Sequence, residues 1–448
     1  MKAISEMTRC KDWRLTFALT ILALLCLLSL RPGRAQQRDS AAPENAAPAR
    51  YTVTDLGKLV GGTSSQAFFA NNKGLVSGVA TLPDGTQHAV LWQKGLITDI
   101  GIRGLGGPNS IAFGDNERGQ AVGEAETSTL DPNGEDFCGF GTHLICLPFL
   151  WQHGVMTPLP TLGGNNGATG TIFNNRGEVA GWAENTTPDP ACPAPQALQF
   201  KPVIWEKGEV QELPTFPGDP DGVAFGINDN GQVVGSSGSC TTFSLNTFTN
   251  LLPLHALLWQ KGTVTDLGNL GGTMNNNIAF AVNNQGQVVG LSDLQGDTTF
   301  HAFLWQNGVM TDLGTLPGDV ASVALGINDR GKVVGVSLDA SFNLRPFLRQ
   351  NGVMTDLNAL IPADSPLLLL IAEVINSRGE IVGSAIQTST GELHAFLATP
   401  SNGRAATESF SPASQGVTRP MVLREDVRNL LQQRLHVGRF GVRLKDPQ

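Results

Sequence analysis

The sequence repeats one short phrase seven times, and this repetition limits the chain to a small set of folds. Each copy has an asparagine, a glycine three residues later and a second glycine seven residues later, as in "NDNGQVVG" from Asn228 to Gly235. The asparagines are Asn71, Asn116, Asn174, Asn228, Asn283, Asn328 and Asn376, and the second glycines are Gly78, Gly123, Gly181, Gly235, Gly290, Gly335 and Gly383. Copies begin 45 to 58 residues apart, which is close to the length of a propeller blade and longer than a leucine-rich or ankyrin unit.

Each copy divides into four short strands. Strand one ends at the repeat asparagine, strand two follows the first glycine, strand three is similar to "HAFLWQ" and strand four is similar to "VMTDLG". The turn between strands one and two needs a left-handed residue, which the first glycine supplies. Asn307-Gly308 and Asn351-Gly352 stand between strands three and four. Asn-Gly between apolar alternations is the strongest short signal for a β-hairpin.

The repeat region begins and ends out of phase. It opens with "YTVTDLG" at Tyr51, which is a fourth strand, and it closes with "HAFLATP" at His394, which is a third strand. An open array of blades would leave an unpaired edge at each end. We therefore predict an all-β fold: a seven-bladed β-propeller of four-stranded antiparallel blades over residues 51–400, in which the N-terminal strand closes the last blade. A ring of six blades with one degenerate unit outside it is the alternative.

The triplet His301-Ala302-Phe303 and the phrase "GINDRGKVVGVS" from Gly326 resemble the HAF repeat family, and the resemblance extends from Tyr51 to Pro400. It implies an extracellular bacterial repeat protein and implies no particular activity. Two copies depart from the family's triplet: Lys201-Pro202-Val203 and Arg345-Pro346-Phe347.

The N-terminus has the pattern of a secretory signal. Basic residues precede an apolar run from Leu15 to Leu30, and a small-residue site follows with cleavage after Ala35. The apolar run is shorter than a membrane span of about 20 residues. We predict a signal peptide at residues 1–35, a disordered linker at residues 36–50 and an extracellular or periplasmic mature protein. The alternative is an uncleaved segment at residues 15–30 that anchors the chain in the membrane.

Four cysteines follow the signal: Cys138, Cys146, Cys192 and Cys240. An even number in an exported chain predicts two disulfides, and four cysteines allow three connectivities. Pairing Cys138 with Cys146 is local, and it would leave Cys192 and Cys240 to tie neighbouring blades. A metal site is the weaker interpretation, because no Cys-x-x-Cys pair or nearby histidine accompanies them.

Repeated polar and aromatic residues are interpreted as structural. Histidine recurs at the start of strand three, at His88, His255, His301 and His394. Tryptophan recurs later in the same strand, at Trp92, Trp151, Trp205, Trp259 and Trp305. Aspartate recurs in strand four, at Asp55, Asp99, Asp266, Asp312 and Asp356. A catalytic histidine acts once, beside a partner placed for it, whereas these copies fall on different blades. We expect half-exposed histidines, tryptophans packed between blades and aspartates that cap turns. Calcium-loop and phosphate-loop patterns are incomplete, so we predict no catalytic, cofactor-binding or metal site.

Charge is unevenly distributed along the chain. The net charge is −9, and the segment from Arg419 to Gln448 has seven basic and three acidic residues, which leaves −13 on the remainder. An acidic body repels phosphate backbones, so no nucleic-acid partner is expected. Residues 401–420 form a polar linker, and residues 421–448 form a basic tail with a short amphipathic helix. We expect this tail to dock on the acidic propeller; a partner or an anionic surface is the alternative.

Long insertions in three successive units lie between strands two and three, at residues 125–147, 183–200 and 236–254. Loops that vary on a rigid scaffold are the usual place for binding. The leading hypothesis is a monomeric, exported, non-catalytic propeller that binds an envelope or extracellular protein or glycan through this loop face. The alternatives are an envelope glycan lyase or hydrolase with a site in the central channel, and a purely structural envelope repeat protein.

Overall fold

The computed structural model describes residues 50–245, 254–341 and 343–401, which form a seven-bladed β-propeller. The predicted signal peptide, the linker up to residue 49 and the tail from residue 402 lie outside the described residues. No helix in the described part of the chain is long and apolar enough to cross a membrane.

Each blade is one four-stranded antiparallel sheet, and the first six blades take their strands consecutively from the chain. Blade one comprises β2 (Ser64–Ala70), β3 (Leu75–Thr81), β4 (Gln87–Gln93) and β5 (Leu96–Asp99). Blade two comprises β6 (Gly106–Asp115), β7 (Ala121–Leu130), β8 (Leu144–Gln152) and β9 (Val155–Pro158). Blade three comprises β10 (Gly167–Phe173), β11 (Val179–Pro188), β12 (Leu198–Glu206) and β13 (Glu209–Glu212). Blade four comprises β14 (Asp221–Ile227), β15 (Val233–Gly238), β16 (His255–Gln260) and β17 (Thr263–Asp266). Blade five comprises β18 (Asn277–Val282), β19 (Val288–Asp293), β20 (Phe300–Gln306) and β21 (Val309–Asp312). Blade six comprises β22 (Ala321–Ile327), β23 (Val333–Leu338), β24 (Leu344–Gln350) and β25 (Val353–Asp356).

The seventh blade confirms the predicted closure. Its first three strands are β26 (Leu367–Ile375), β27 (Ile381–Gln387) and β28 (Leu393–Pro400), and its fourth strand is β1 (Tyr51–Asp55). The two outer strands pair in register from Tyr51 opposite Pro400 to Asp55 opposite Phe396. The ring is therefore sealed by hydrogen bonds between the two ends of the repeat region.

Two short helices complete the described elements: α1 (Cys240–Leu245) and a 3-10 helix at Leu357–Leu360. Because strands alternate in direction, the turns after strands one and three lie together on what we call the turn face. The loops after strand two and the connections between blades lie on the opposite side, which we call the insertion face. Parts of the predicted insertions continue strands, since β7 extends to Leu130 and β11 extends to Pro188.

Glycine is required for different reasons at its two repeated positions. The first glycine has a left-handed backbone, as at Gly74 with φ +80° and Gly331 with φ +70°. The second faces a β-bulge on strand one, and a Cβ on Gly290 would lie 1.8 Å from the carbonyl oxygen of Ile278. A side chain at the second position therefore cannot fit without displacing the neighbouring strand.

The core lies between the blades, and the repeated tryptophans are part of it. Trp92 packs against Val382 and Ala395 of the seventh blade. Trp205 Nε1 donates a 2.7 Å hydrogen bond to the carbonyl of Pro160, which follows the outer strand of the preceding blade. Trp259 Nε1 makes the same bond, 2.6 Å long, to Pro214 in the next blade pair. The predicted packing between blades is confirmed for these three side chains.

Candidate functional site

A ring of hydrogen bonds joins the seven repeat asparagines around the central channel. Each Nδ2 donates to the main-chain carbonyl of the asparagine in the next blade. The seven bonds run Asn71 to Asn116, 2.8 Å; Asn116 to Asn174, 3.4 Å; Asn174 to Asn228, 3.1 Å; Asn228 to Asn283, 2.8 Å; Asn283 to Asn328, 3.0 Å; Asn328 to Asn376, 3.0 Å; and Asn376 to Asn71, 3.1 Å. The Oδ1 of Asn71 also accepts from the amides of Lys73 and Leu75 in its own turn. The asparagine thus shapes its turn and ties one blade to the next.

A cavity of about 180 Å³ opens at the channel mouth on the turn face, inside this ring. The residue after each asparagine lines the mouth: Asn72, Glu117, Asn175, Asp229, Asn284, Asp329 and Ser377. Most of these side chains accept from the backbone of the preceding blade, as in the 2.7 Å bond from Asn72 N to Glu117 Oε1 and the 2.8 Å bond from Asn175 N to Asp229 Oδ1. Their polar atoms therefore hold blades together.

Strand one of two blades holds a buried carboxyl group at a position that is uncharged in the other blades. Asp115 stands directly before a repeat asparagine and is 0% exposed, and Glu373 stands three residues before another. Burial raises the pKa of Asp115 well above its ordinary value, although Ser77 and Asn71 lower it by hydrogen bonding. Burial thus favours the neutral form of the Asp115 carboxyl.

Histidine and aspartate pair across strands three and four near the insertion face. His88 Nδ1 lies 2.9 Å from Asp99 Oδ2, and the pairs His301–Asp312 and His394–Asp55 repeat the geometry at 2.9 Å and 2.7 Å. His255 differs, because its partner at 2.9 Å is Asp219 in a blade connection. The pairs fall on different blades, which fits the structural interpretation of the histidines.

The strand-four aspartates cap turns, as predicted. Gly57 N donates to Asp55 Oδ1 over 2.8 Å, and Gly314 N donates to Asp312 Oδ1 over 2.7 Å. Arg345 takes the place of histidine in the sixth blade, and its guanidinium bridges Asp319 at 2.8 Å and Asp356 at 3.3 Å. This bridge ties a blade connection to the blade itself.

A buried group of three carboxylates lies where the insertions of blades two and three meet. Asp131, Glu135 and Glu184 all face the Nδ2 of Asn166, at 2.9 Å, 3.3 Å and 3.0 Å. Glu184 also accepts from the main-chain amide of Asn166, at 3.0 Å, and from Gln196 Nε2, at 2.6 Å. Burial, and then the charge of Glu135, raises the pKa of Glu184 to about 8.

Glu135 joins the insertion of blade two to that of blade three. Its Oε1 accepts from the amides of Ala197 and Leu198, at 2.5 Å and 3.0 Å. A single carboxylate that accepts two backbone amides of another loop holds both loops in one arrangement. The sequence analysis did not single out this group; the acid-rich stretch "DPNGEDF" from Asp131 to Phe137 is the signal that could have found it.

A second carboxyl and a disulfide join the insertions of blades three and four. Asp221 accepts from Phe200 N at 3.1 Å and from Cys240 N at 2.8 Å, and burial, with Asp189 close by, raises its pKa to about 8. Cys192 is bonded to Cys240, with Cα atoms 5.0 Å apart.

Cys138 is bonded to Cys146 inside the blade-two insertion, with Cα atoms 6.0 Å apart. The structure thus has the connectivity with one local and one inter-blade disulfide, which indicates folding in an oxidising environment. Together, the disulfides and the buried carboxyls join the insertions of blades two, three and four into one connected structure, which we call the insertion plate.

Searches against protein-family models and curated proteins found no match. Solved structures with a similar fold include a Mycobacterium tuberculosis puromycin-hydrolysing peptidase, with 12% identity, a TM-score of 0.44, and coverage of 78% of this chain and 56% of that chain. A gluconolactonase from Xanthomonas campestris has 8% identity, a TM-score of 0.33, and coverage of 80% and 96%. A Pyrococcus horikoshii acylaminoacyl peptidase has 11% identity, a TM-score of 0.38, and coverage of 71% and 49%. This chain spans about half the length of the two peptidases, and the propeller assignment depends on its own seven sheets.

Proposed function

We propose that this protein is an exported, monomeric, non-catalytic β-propeller that binds an envelope or extracellular protein or glycan through its insertion face. The main support is the plate formed by the insertions of blades two, three and four. Glu135, Asp221 and the Cys192–Cys240 disulfide hold three loops of different blades in one arrangement. A surface fixed before binding loses less conformational entropy when a partner arrives.

Exposed apolar side chains on the same face give the proposal further support. Val60 and Ile102, in blade connections, are 99% and 72% exposed, and Leu130, at the edge of the blade-two insertion, is 67% exposed. These three side chains offer apolar contact area to a partner that binds the insertion face. The resemblance of the repeats to the HAF family agrees with an extracellular setting.

The test is capture of binding partners by the mature chain from its own cell envelope and from a glycan array. We expect an Ile102→Asp/Leu130→Asp variant to lose capture while it keeps the parent's melting temperature. The matched control is Val309→Asp/Val353→Asp, which changes two side chains, each 63% exposed, at the start of strand four near the turn face. The proposal is wrong if both variants capture the same partners equally, or if both lose them equally.

A further inference from the structure

The loops of the two propeller faces carry opposite charge. The described insertion-face loops have eleven acidic and two basic residues: Asp84, Asp131, Glu135, Asp136, Asp189, Asp219, Asp297, Asp319, Asp339, Asp364 and Glu392, with Lys58 and Arg103. The turn-face loops have nine basic and five acidic residues: Lys73, Lys94, Arg118, Arg176, Lys207, Lys261, Arg330, Lys332 and Arg378, with Glu117, Glu178, Asp229, Asp329 and Glu380. Among the described loops, negative charge is therefore concentrated on the insertion face, where Asp131, Glu135 and Asp189 are buried and the other acidic residues are at least partly exposed.

Apolar side chains are exposed within this acidic face. Val60, Ile102 and Leu130 are joined there by Met274 and Val320, which lie in two further blade connections. A partner that complements this face combines positive charge with an apolar stripe. The chain itself contains such a segment after its last strand.

The segment from Arg419 to Gln448 has seven basic and three acidic residues. Within it, Leu423, Val427, Leu430, Leu431 and Leu435 recur at the spacing of one helix face. A helix with a basic surface and an apolar stripe has the two features that the insertion face would complement.

The link before this segment is long enough to reach the insertion face. The described chain ends at Ser401 on the turn face, where Ser401 N donates a 2.7 Å hydrogen bond to Arg50 O. The eight residues of β28 span the two faces, about 26 Å at 3.3 Å per residue. A flexible chain with the 17 residues from 402 to 418 would have a root-mean-square span of about 23 Å. A link whose span matches the distance gives the highest effective concentration of a tethered segment.

We propose that residues 419–448 dock on the insertion face of their own chain. The basic side chains lie against the acidic loops, and the leucine stripe covers the exposed apolar residues. The inference depends on the proposed function only in that both use this face.

The test uses the full mature chain with a photo-crosslinking benzoylphenylalanine in place of Leu431. Cross-linked peptides are identified by mass spectrometry in an equal mixture of ¹⁴N- and ¹⁵N-labelled protein, which separates links within a chain from links between chains. We expect links within one chain to insertion-face peptides, with a yield that falls when the ionic strength is raised from about 0.05 M to about 0.5 M.

Two matched charge reversals locate the docking face. Glu212→Lys/Asp364→Lys changes exposed carboxylates on the insertion face, and we expect a several-fold loss of cross-linking. Glu206→Lys/Glu209→Lys makes the same change of net charge on the turn face, and we expect the yield to be retained.

Three outcomes would overturn the inference: links to turn-face peptides, links only between differently labelled chains, and an absence of links to the propeller. None of these depends on an external partner. Failure of self-docking is therefore distinguishable from failure of the proposed binding function, which is judged by capture alone.

Discussion

Stability should fall as pH rises through the neutral range, because buried carboxyl groups in the insertion plate must lose protons. Glu184 has its pKa raised from 4.5 to about 8, so the folded state binds a proton that the unfolded state has released. The unfolded chain binds fewer protons than the folded chain between these two values, and the free energy of unfolding therefore decreases with increasing pH in that window. Below pH 4.5 both states are protonated, and the carboxyl adds no pH dependence.

The size of the effect follows from the shift. One pKa unit corresponds to about 1.4 kcal/mol, so the rise to about 8 amounts to at most about 5 kcal/mol. Most of this falls between pH 5 and pH 8, where Glu184 alone accounts for about 3 kcal/mol.

The assay is urea unfolding of the mature chain and of Glu184→Gln at several values between pH 5 and pH 8. The glutamine is neutral throughout, so we expect its unfolding free energy to depend less on pH than that of the parent, by about 3 kcal/mol over this range. The substitution also changes hydrogen bonds, but a loss of unfolding free energy that is the same at every pH does not alter how that free energy depends on pH. Glu212→Gln, at an exposed carboxyl, should leave the slope unchanged. Equal slopes for the parent and Glu184→Gln would refute the reasoning.

Two further perturbations address the blade repeat and the insertion plate. Gly290→Ala places a Cβ 1.8 Å from the Ile278 carbonyl oxygen, so we expect a destabilisation of roughly 2 kcal/mol or more, seen as a lower denaturation midpoint; an unchanged midpoint would mean that the bulge relaxes freely. Cys192→Ser/Cys240→Ser opens a disulfide that spans 48 residues, and loop entropy predicts a loss of roughly 4 kcal/mol. The corresponding variant of the local pair, which spans 8 residues, should lose only roughly 2.5 kcal/mol, and the opposite order in thermal scans would contradict the entropic account.

The fold could be predicted because its determinants repeat. An asparagine and two glycines recur in every blade, and the out-of-phase ends of the repeat region predict that β1 completes the seventh blade. One copy of this pattern is weak evidence for a turn between two strands, but seven copies at similar spacing predict the same four-stranded unit seven times. The channel ring follows from the same asparagines, although only the structure reveals that their side chains reach the next blade.

The candidate site could be predicted only in outline, because its contacts occur once. Glu135, Asn166 and Glu184 belong to different blades or connections, and no spacing along the chain marks their approach. His255 is a smaller example: by analogy with the pairs in the other blades its partner would be Asp266, yet its ring lies beside Asp219 in the preceding connection. Long-range contacts of single residues depend on the packed geometry of neighbouring blades.

The seam between β1 and β28 sets how the ring responds to mechanical force. Tyr51 and Pro400 are opposite each other at the same end of this strand pair, so the two flanking segments leave the ring side by side. Tension between those segments peels the pair apart from Tyr51 onward and loads its hydrogen bonds one after another. Tension between one flank and the insertion face acts along the strands and loads the same bonds together. The seam therefore resists a force along its strands better than a force that separates the two flanks.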